Sequence, residues 1–171
     1  MICLIMEKNQ HKAPLRGIRL VIKQKSKEVN FVRYEKLSNQ FYGANLLYGK
    51  IDLKPTHTWS FYYVVENTTD KKFIEKEALK TVLLVNEHSR EFHFYGKQAQ
   101  QWENVFDLAD ITIRPNATHQ EIALTMVYSD LEEFIDMLQE EISARYFVPH
   151  DTYLIYDDEN FYKQILSKLK Y

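Results

Sequence analysis

Residues 59–95 read WSFYYVVENTTDKKFIEKEALKTVLLVNEHSREFHFY. An aromatic, β-branched run (Phe61–Val65) is followed by a polar turn and then by Thr69–Leu79, where Phe73, Ile74 and Ala78 recur at helical spacing. A second β-branched run, Thr81–Val85, a polar turn and a further aromatic run, Phe92–Tyr95, come next. Beyond them Lys97–Leu108, with Trp102, Val105 and Phe106, predicts another helix, and Asp110–Ile113 another strand. The two short runs at Thr81–Val85 and Asp110–Ile113 each precede a short turn and a strand, which predicts antiparallel hairpins. From Trp59 to Ile113 the order becomes strand, helix, strand, strand, helix, strand, the split βαβ order of ferredoxin-like folds.

Toward the C-terminus the same layout continues with strands at Leu124–Tyr128 and Tyr153–Tyr156, each leading into a helix. Strand followed by helix thus recurs at intervals of roughly thirty residues, with shared layout rather than shared sequence. The clearest helix begins at Ser129, where Ser129 and Glu132 have the spacing of a capping box. Leu131, Phe134, Ile135, Leu138 and Ile142 form its apolar stripe. The final helix starts near Asp158 and is expected to bury Phe161, Ile165 and Leu169. These elements predict an α+β fold, a mixed or antiparallel sheet with helices packed on it. Its expected core is ferredoxin-like, extended at the C-terminus by β-α-β-α.

Charge divides the chain where the strand and helix alternation begins. Residues 1–58 hold eleven Lys/Arg against four acids, a balance of +7, while residues 59–171 hold eleven against twenty, a balance of −9. Within the basic part, Ile18, Leu20 and Ile22 alternate with Arg19, Lys23 and Lys25, the period of a half-buried strand that presents its cations in a row. The next stretch has two readings, since Phe31, Tyr34, Leu37 and Phe41 suit a helix and Val29, Phe31 and Arg33 suit a strand. A short strand is expected at Lys50–Leu53, and Lys54-Pro55 ends it. A soft boundary there separates a basic, β-rich segment (1–58) from an acidic α+β domain (59–171), unless the whole forms one domain.

The 171 residues, 45 % hydrophobic with four Gly and four Pro, have the composition of a chain that folds throughout. One cysteine, Cys3, forms no intramolecular disulfide, so the expected compartment is the reducing cytoplasm. The opening MICLIM meets Glu7 and Lys8 too soon for a signal-peptide core or a membrane span, and Met6 offers a second plausible start. No membrane association and no cofactor is expected.

Several constellations bear on function. Lys8 to Lys36 carries nine Lys/Arg, two acids and the aromatics Phe31 and Tyr34, the combination with which nucleic-acid binders displace counterions and stack bases. Arg16, Arg19, Lys23, Lys25, Lys27 and Arg33 are the candidate phosphate contacts, with Phe31 and Tyr34 as stacking residues. Arg90-Glu91-Phe92-His93-Phe94 resembles the third strand of RNA-recognition motifs at its basic residue and two alternating aromatics. Glu91 and His93 replace the small residues expected between them, and alternating large aromatics fit a core better. The six histidines are scattered and no Cys pair, HExxH or EF-hand spacing occurs, so no metal site is expected. Recognisable nucleophile and phosphate-loop motifs are also missing. Asp52-Leu53-Lys54, with Glu35 upstream, is the one faint hydrolytic pattern, that of a metal-dependent nuclease.

The helix after Ser129 is acid-rich, and Glu132, Glu133, Asp136, Glu140 and Glu141 are the candidate contacts to a basic protein surface. The leading expectation is a non-enzymatic binding or regulatory protein that engages nucleic acid or a nucleoprotein through its basic third. An inhibitor or adaptor that docks through the acidic helices is the alternative, and a metal-dependent nuclease a second one.

Overall fold

A computed structural model describes residues 35–38, 40–47, 59–84, 91–118, 121–144 and 151–170. Among them lie six strands and four helices: β1 (Glu35–Ser38), β2 (Phe41–Asn45), β3 (Trp59–Val64), α1 (Lys71–Leu84), β4 (Glu91–Tyr95), α2 (Ala99–Ile113), β5 (Leu124–Tyr128), α3 (Leu131–Ala144), β6 (Asp151–Tyr156) and α4 (Glu159–Lys168). The class is α+β, with the helices packed on a mixed six-stranded sheet of order β1-β2-β6-β3-β4-β5. β1 is antiparallel to β2, and every other pairing is parallel.

Parallel neighbours demand crossovers, and this is why the two predicted hairpins do not form. Thr81–Leu84, expected as strand, is the last turn of α1, and Asp110–Ile113 is the last turn of α2. In α1 the stripe Ile74, Ala78, Val82 repeats every four residues and is buried to its end, so packing overrides the β preference of Thr81 and Val82. In α2 the stripe Ala99, Trp102, Phe106, Ala109 does the same. Among the described residues the split βαβ order of a ferredoxin-like core is therefore not found, and β3 to α4 alternates strand and helix.

The sheet separates two cores. On one face α1 and α2 cover Phe61, Tyr63, Val65, Phe92 and Phe94; on the other, α3 and α4 cover Phe41, Tyr62, Val64, Leu154 and Tyr156. β3 and β6 are buried on both sides, which is why their sequences SFYYV and TYLIY are continuously apolar or aromatic rather than alternating. In-register pairing lines up Tyr42, Tyr153, Phe61 and Phe92 as a row of stacked rings across β2, β6, β3 and β4, with centroids 5.1, 5.5 and 5.4 Å apart. Each such contact adds about 0.5–1.5 kcal/mol to the area it buries.

Asp70 and Asp158 start α1 and α4 by accepting first-turn N–H groups. α3 begins one residue later than predicted. Its cap is Asp130, whose Oδ1 accepts from the amides of Glu132 and Glu133 at 2.7 and 3.2 Å, and not a Ser129–Glu132 box.

Residues 35–47 of the basic third belong to this same sheet as β1, a turn at Gln40 with φ +61°, and β2. Leu37 and Phe41, which also suited a helix, lie in strands, whereas Val29, Phe31 and Arg33 of the strand reading lie outside the described residues. Gly43 on β2 is required by contact: a Cβ there would overlap the ring of Tyr162 (Cζ at 3.0 Å), which stacks on Tyr156 at 3.9 Å and donates to Glu35 at 3.3 Å.

Candidate functional site at the switch point of the sheet

Chain direction across the sheet reverses between β3 and β6. From β3 the chain steps to β4 and β5 through helices on one face; α3 then carries it back over the other face to β6, beyond β3. In open sheets of this kind the crevice outside the carboxyl ends of the two central strands is the usual ligand position. Here it is built from the loop after β3 (65–70), the turn after β4 (96–98) and Asp157-Asp158 after β6.

The chain fills that crevice with its own side chains. Asp157 is buried, and its carboxylate accepts three successive amide N–H groups of the β3 loop: Glu66 at 2.8 Å, Asn67 at 3.0 Å and Thr68 at 2.7 Å. Consecutive amides aimed at one point are the way a backbone cradles a phosphate, and in this protein the anion is an internal carboxylate. Asn67 spans outward, its Nδ2 donating to the Asp158 carboxylate at 3.3 Å. The N–H of Phe161, and less so the Asn67 amide, hold the Asp158 carboxyl below the usual range.

Glu66 is also buried and accepts from the Lys97 amide at 3.2 Å, while the exposed Lys97 ammonium closes over it at 3.0 Å. Gly96 makes this turn possible. Its φ of +114° suits glycine alone, and a Cβ would lie 2.7 Å from the Val65 carbonyl oxygen. Trp102 donates to Thr68 O at 3.2 Å, so the loop is tied from three elements.

A second polar cluster lies within the α3 face of the sheet. His93, 0 % exposed, stacks on Tyr62 with centroids 4.1 Å apart and planes 5° from parallel. Its Nε2 lies 3.3 Å from the Glu91 carboxylate and its Nδ1 2.9 Å from the Tyr128 hydroxyl. A carboxylate only accepts, so Nε2 donates to Glu91, and in the tautomer that satisfies both contacts Nδ1 accepts from the Tyr128 hydroxyl. Burial, and then the charges of Glu133 and Glu91, push the Tyr128 phenol up to about 12. Both ring nitrogens are satisfied and no solvent reaches them, the state of a core histidine. Phe92 and Phe94 are fully buried on the opposite face, as core residues and not as stacking platforms.

The sequence-predicted sites distribute unevenly. Arg16, Arg19, Lys23, Lys25, Lys27, Phe31, Arg33 and Tyr34 lie outside the described residues, as do Asp52, Lys54 and every histidine except His93. Of the acidic set on α3, Glu132 pairs with Lys168 of α4, and Glu141 accepts from Ser60 at 2.5 Å. Glu133, Asp136 and Glu140 are exposed. The run Asp157-Asp158-Glu159 divides into a buried latch, a helix cap and a partner for Lys163. Sequence reasoning missed Glu66, Gly96, Lys97 and Asp157. The available signal was a charged residue, or glycine followed by one, directly after the apolar runs that form β3, β4 and β6. Among the described residues no group of three or more His, Cys, Asp or Glu is placed to hold a metal ion. The chain matches no family model, no curated protein and no solved structure.

Proposed function

We propose that the chain is a non-enzymatic binding or regulatory protein that engages nucleic acid or a nucleoprotein through its basic N-terminal third, with the α+β sheet as scaffold. The observation that carries the reading is the closed switch point. Among the described residues this crevice is filled by the chain's own groups, Asp157 taking the amides of the β3 loop and Lys97 pairing with the buried Glu66. Recognition then falls to surfaces, and the strongest surface signal in the chain is the +7 balance of residues 1–58 against −9 in the remainder. No helix among the described residues is long and apolar enough to cross a membrane.

Arg16, Arg19, Lys23, Lys25, Lys27 and Arg33 contact phosphates in this reading, and Phe31 and Tyr34 stack on bases. With about six phosphate contacts, affinity for short RNA or DNA is expected to fall roughly 10³-fold between about 50 and 200 mM salt. Fluorescence anisotropy measures it. Undetectable binding at the lower salt, or binding unchanged when Arg19, Lys23 and Lys25 are replaced by Glu, overturns the proposal.

One observation favours a second reading, an inhibitor or adaptor that docks on a basic protein groove. Glu133, Asp136 and Glu140 form an exposed stripe at helical spacing that makes no ion pair among the described residues, whereas Glu132 is neutralised by Lys168. Charge reversal of that stripe abolishes capture of a protein partner in this reading and leaves nucleic-acid affinity intact.

A further inference from the structure

The two edges of the sheet differ in a way that points to a partner. β1, at one edge, carries Glu35 and Lys36 and has an irregular register between Lys36 and Ser38, the charges and irregularity with which folded chains blunt an edge. β5, at the other edge, reads LTMVY. It contains no charge and no proline, its register with β4 is regular from Leu124 to Tyr128, and among the described residues it pairs with β4 alone. Leu124 is 52 % and Val127 38 % exposed, on opposite faces of the strand. A row of outward N–H and C=O groups flanked by exposed apolar side chains is a template for one more strand.

The flanks select the strand's chemistry. On the α2 side Asp107 accepts from Thr125 Oγ1 at 2.8 Å, Glu103 stands one turn before it, and Ile111, 56 % exposed, one turn after it. On the other side, α4 occupies one flank of α3 through Lys168–Glu132 and the Lys170 amide bound by Gln139. Helical spacing sets Glu133 and Glu140 on the solvent face of α3, opposite its buried stripe and off the α4 flank, and Glu133 is near enough to act on the Tyr128 phenol at the strand's end. Acids therefore stand near the edge left open among the described residues, Glu103 and Asp107 on the α2 side and Glu133 by the end of the strand on the other. A second copy paired antiparallel on this edge would set these acids against themselves, whereas a basic strand would be matched.

We propose that the outer edge of β5 receives an extended segment of a partner protein by strand addition, and that this segment combines branched apolar side chains with lysine or arginine. The site is independent of the nucleic-acid reading, and it narrows the protein-docking reading of α3 to a defined edge.

The test uses the full chain and a fluorescein-labelled peptide of the required chemistry, RGIRLVIKQKSK (the sequence of residues 16–27), with a control in which every Arg and Lys is Glu. Binding of the basic peptide alone is expected, weakened at least tenfold by L124K/V127K and by E133K/E140K. All four positions are at the surface, and circular dichroism checks the fold of each variant. Failure of the basic peptide to bind, or binding indifferent to L124K/V127K, overturns the proposal. If only E133K/E140K weakens binding, the acidic face of α3 docks partners without the edge, and strand addition is wrong. A dimer in sedimentation velocity that L124K/V127K dissociates would make the occupant a second copy and overturn the assignment to a basic segment.

Discussion

Asp157 decides how the centre of the sheet ends. Its two oxygens satisfy three amides, and hydrogen bonds to a charged acceptor exceed neutral ones in strength. Asp157→Ala strands those donors at a buried junction and is expected to cost about 3 kcal/mol of stability, read by urea unfolding. Asp157→Asn keeps one accepting oxygen and should cost less. A loss within a few tenths of a kcal/mol for the alanine variant would mean that water replaces the carboxylate and that the crevice is open. This role was not legible in the sequence, because it depends on β3 and β6 lying side by side although Glu66 and Asp157 are 91 residues apart. Asp157-Asp158-Glu159 as a string resembles any solvated acidic turn.

Among the elements, β3 to β6 were legible because their chemistry is unambiguous: SFYYV, FHFY and YLIY are aromatic and β-branched, and LTMVY is flanked by polar turns; β1 and β2, in a stretch that also suited a helix, were not. Helix ends were not legible either. Thr81-Val82 and Ile111-Thr112-Ile113 are local β formers, and only the continued stripe beneath them, together with the parallel pairing of their flanking strands, makes them helix. The start of α3 shows the same limit at one-residue scale, since Ser129 and Asp130 are both good caps in isolation. The geometry separates them. Asp130→Ala is expected to cost about 1 kcal/mol by thermal or urea unfolding, while Ser129→Ala should be close to neutral. Equal costs would restore the serine box.

At the scale of the whole molecule, the double-sided aromatic core fixes how stability varies with pH. Burial, with Glu133 and Glu91 behind it, raises the Tyr128 phenol to about 12, and burial with Glu159 raises Tyr156 to about 12, from 10.0. Tyr62 and Tyr63 are raised further by burial. A folded-state value above the unfolded one means the fold favours the neutral phenol. That contribution is complete below pH 10 and is lost as pH rises from 10 toward 12, where the unfolded chain ionises first. Unfolding midpoints should therefore fall over that window, and phenolate absorbance of the folded protein should lag behind that of the urea-unfolded chain. Coincident titrations would show these rings to be wet. The α+β class was visible from patterning alone, whereas the strand order was not, because nothing local states that the last strand enters the middle.

That last point carries a consequence for how the molecule comes into being. β6 stands between β2 and β3 and supplies the pairing that joins them. Until residues 151–156 emerge from the ribosome, the β1–β2 hairpin has no partner among the described strands, and β3, β4 and β5 form an unfinished sheet whose inner edge, β3, is open. A nascent chain therefore leaves the inner edge of β3 without its β6 partner until residues 151–156 are made. A ribosome stalled before that strand would hold an open sheet edge, a template for wrong pairing.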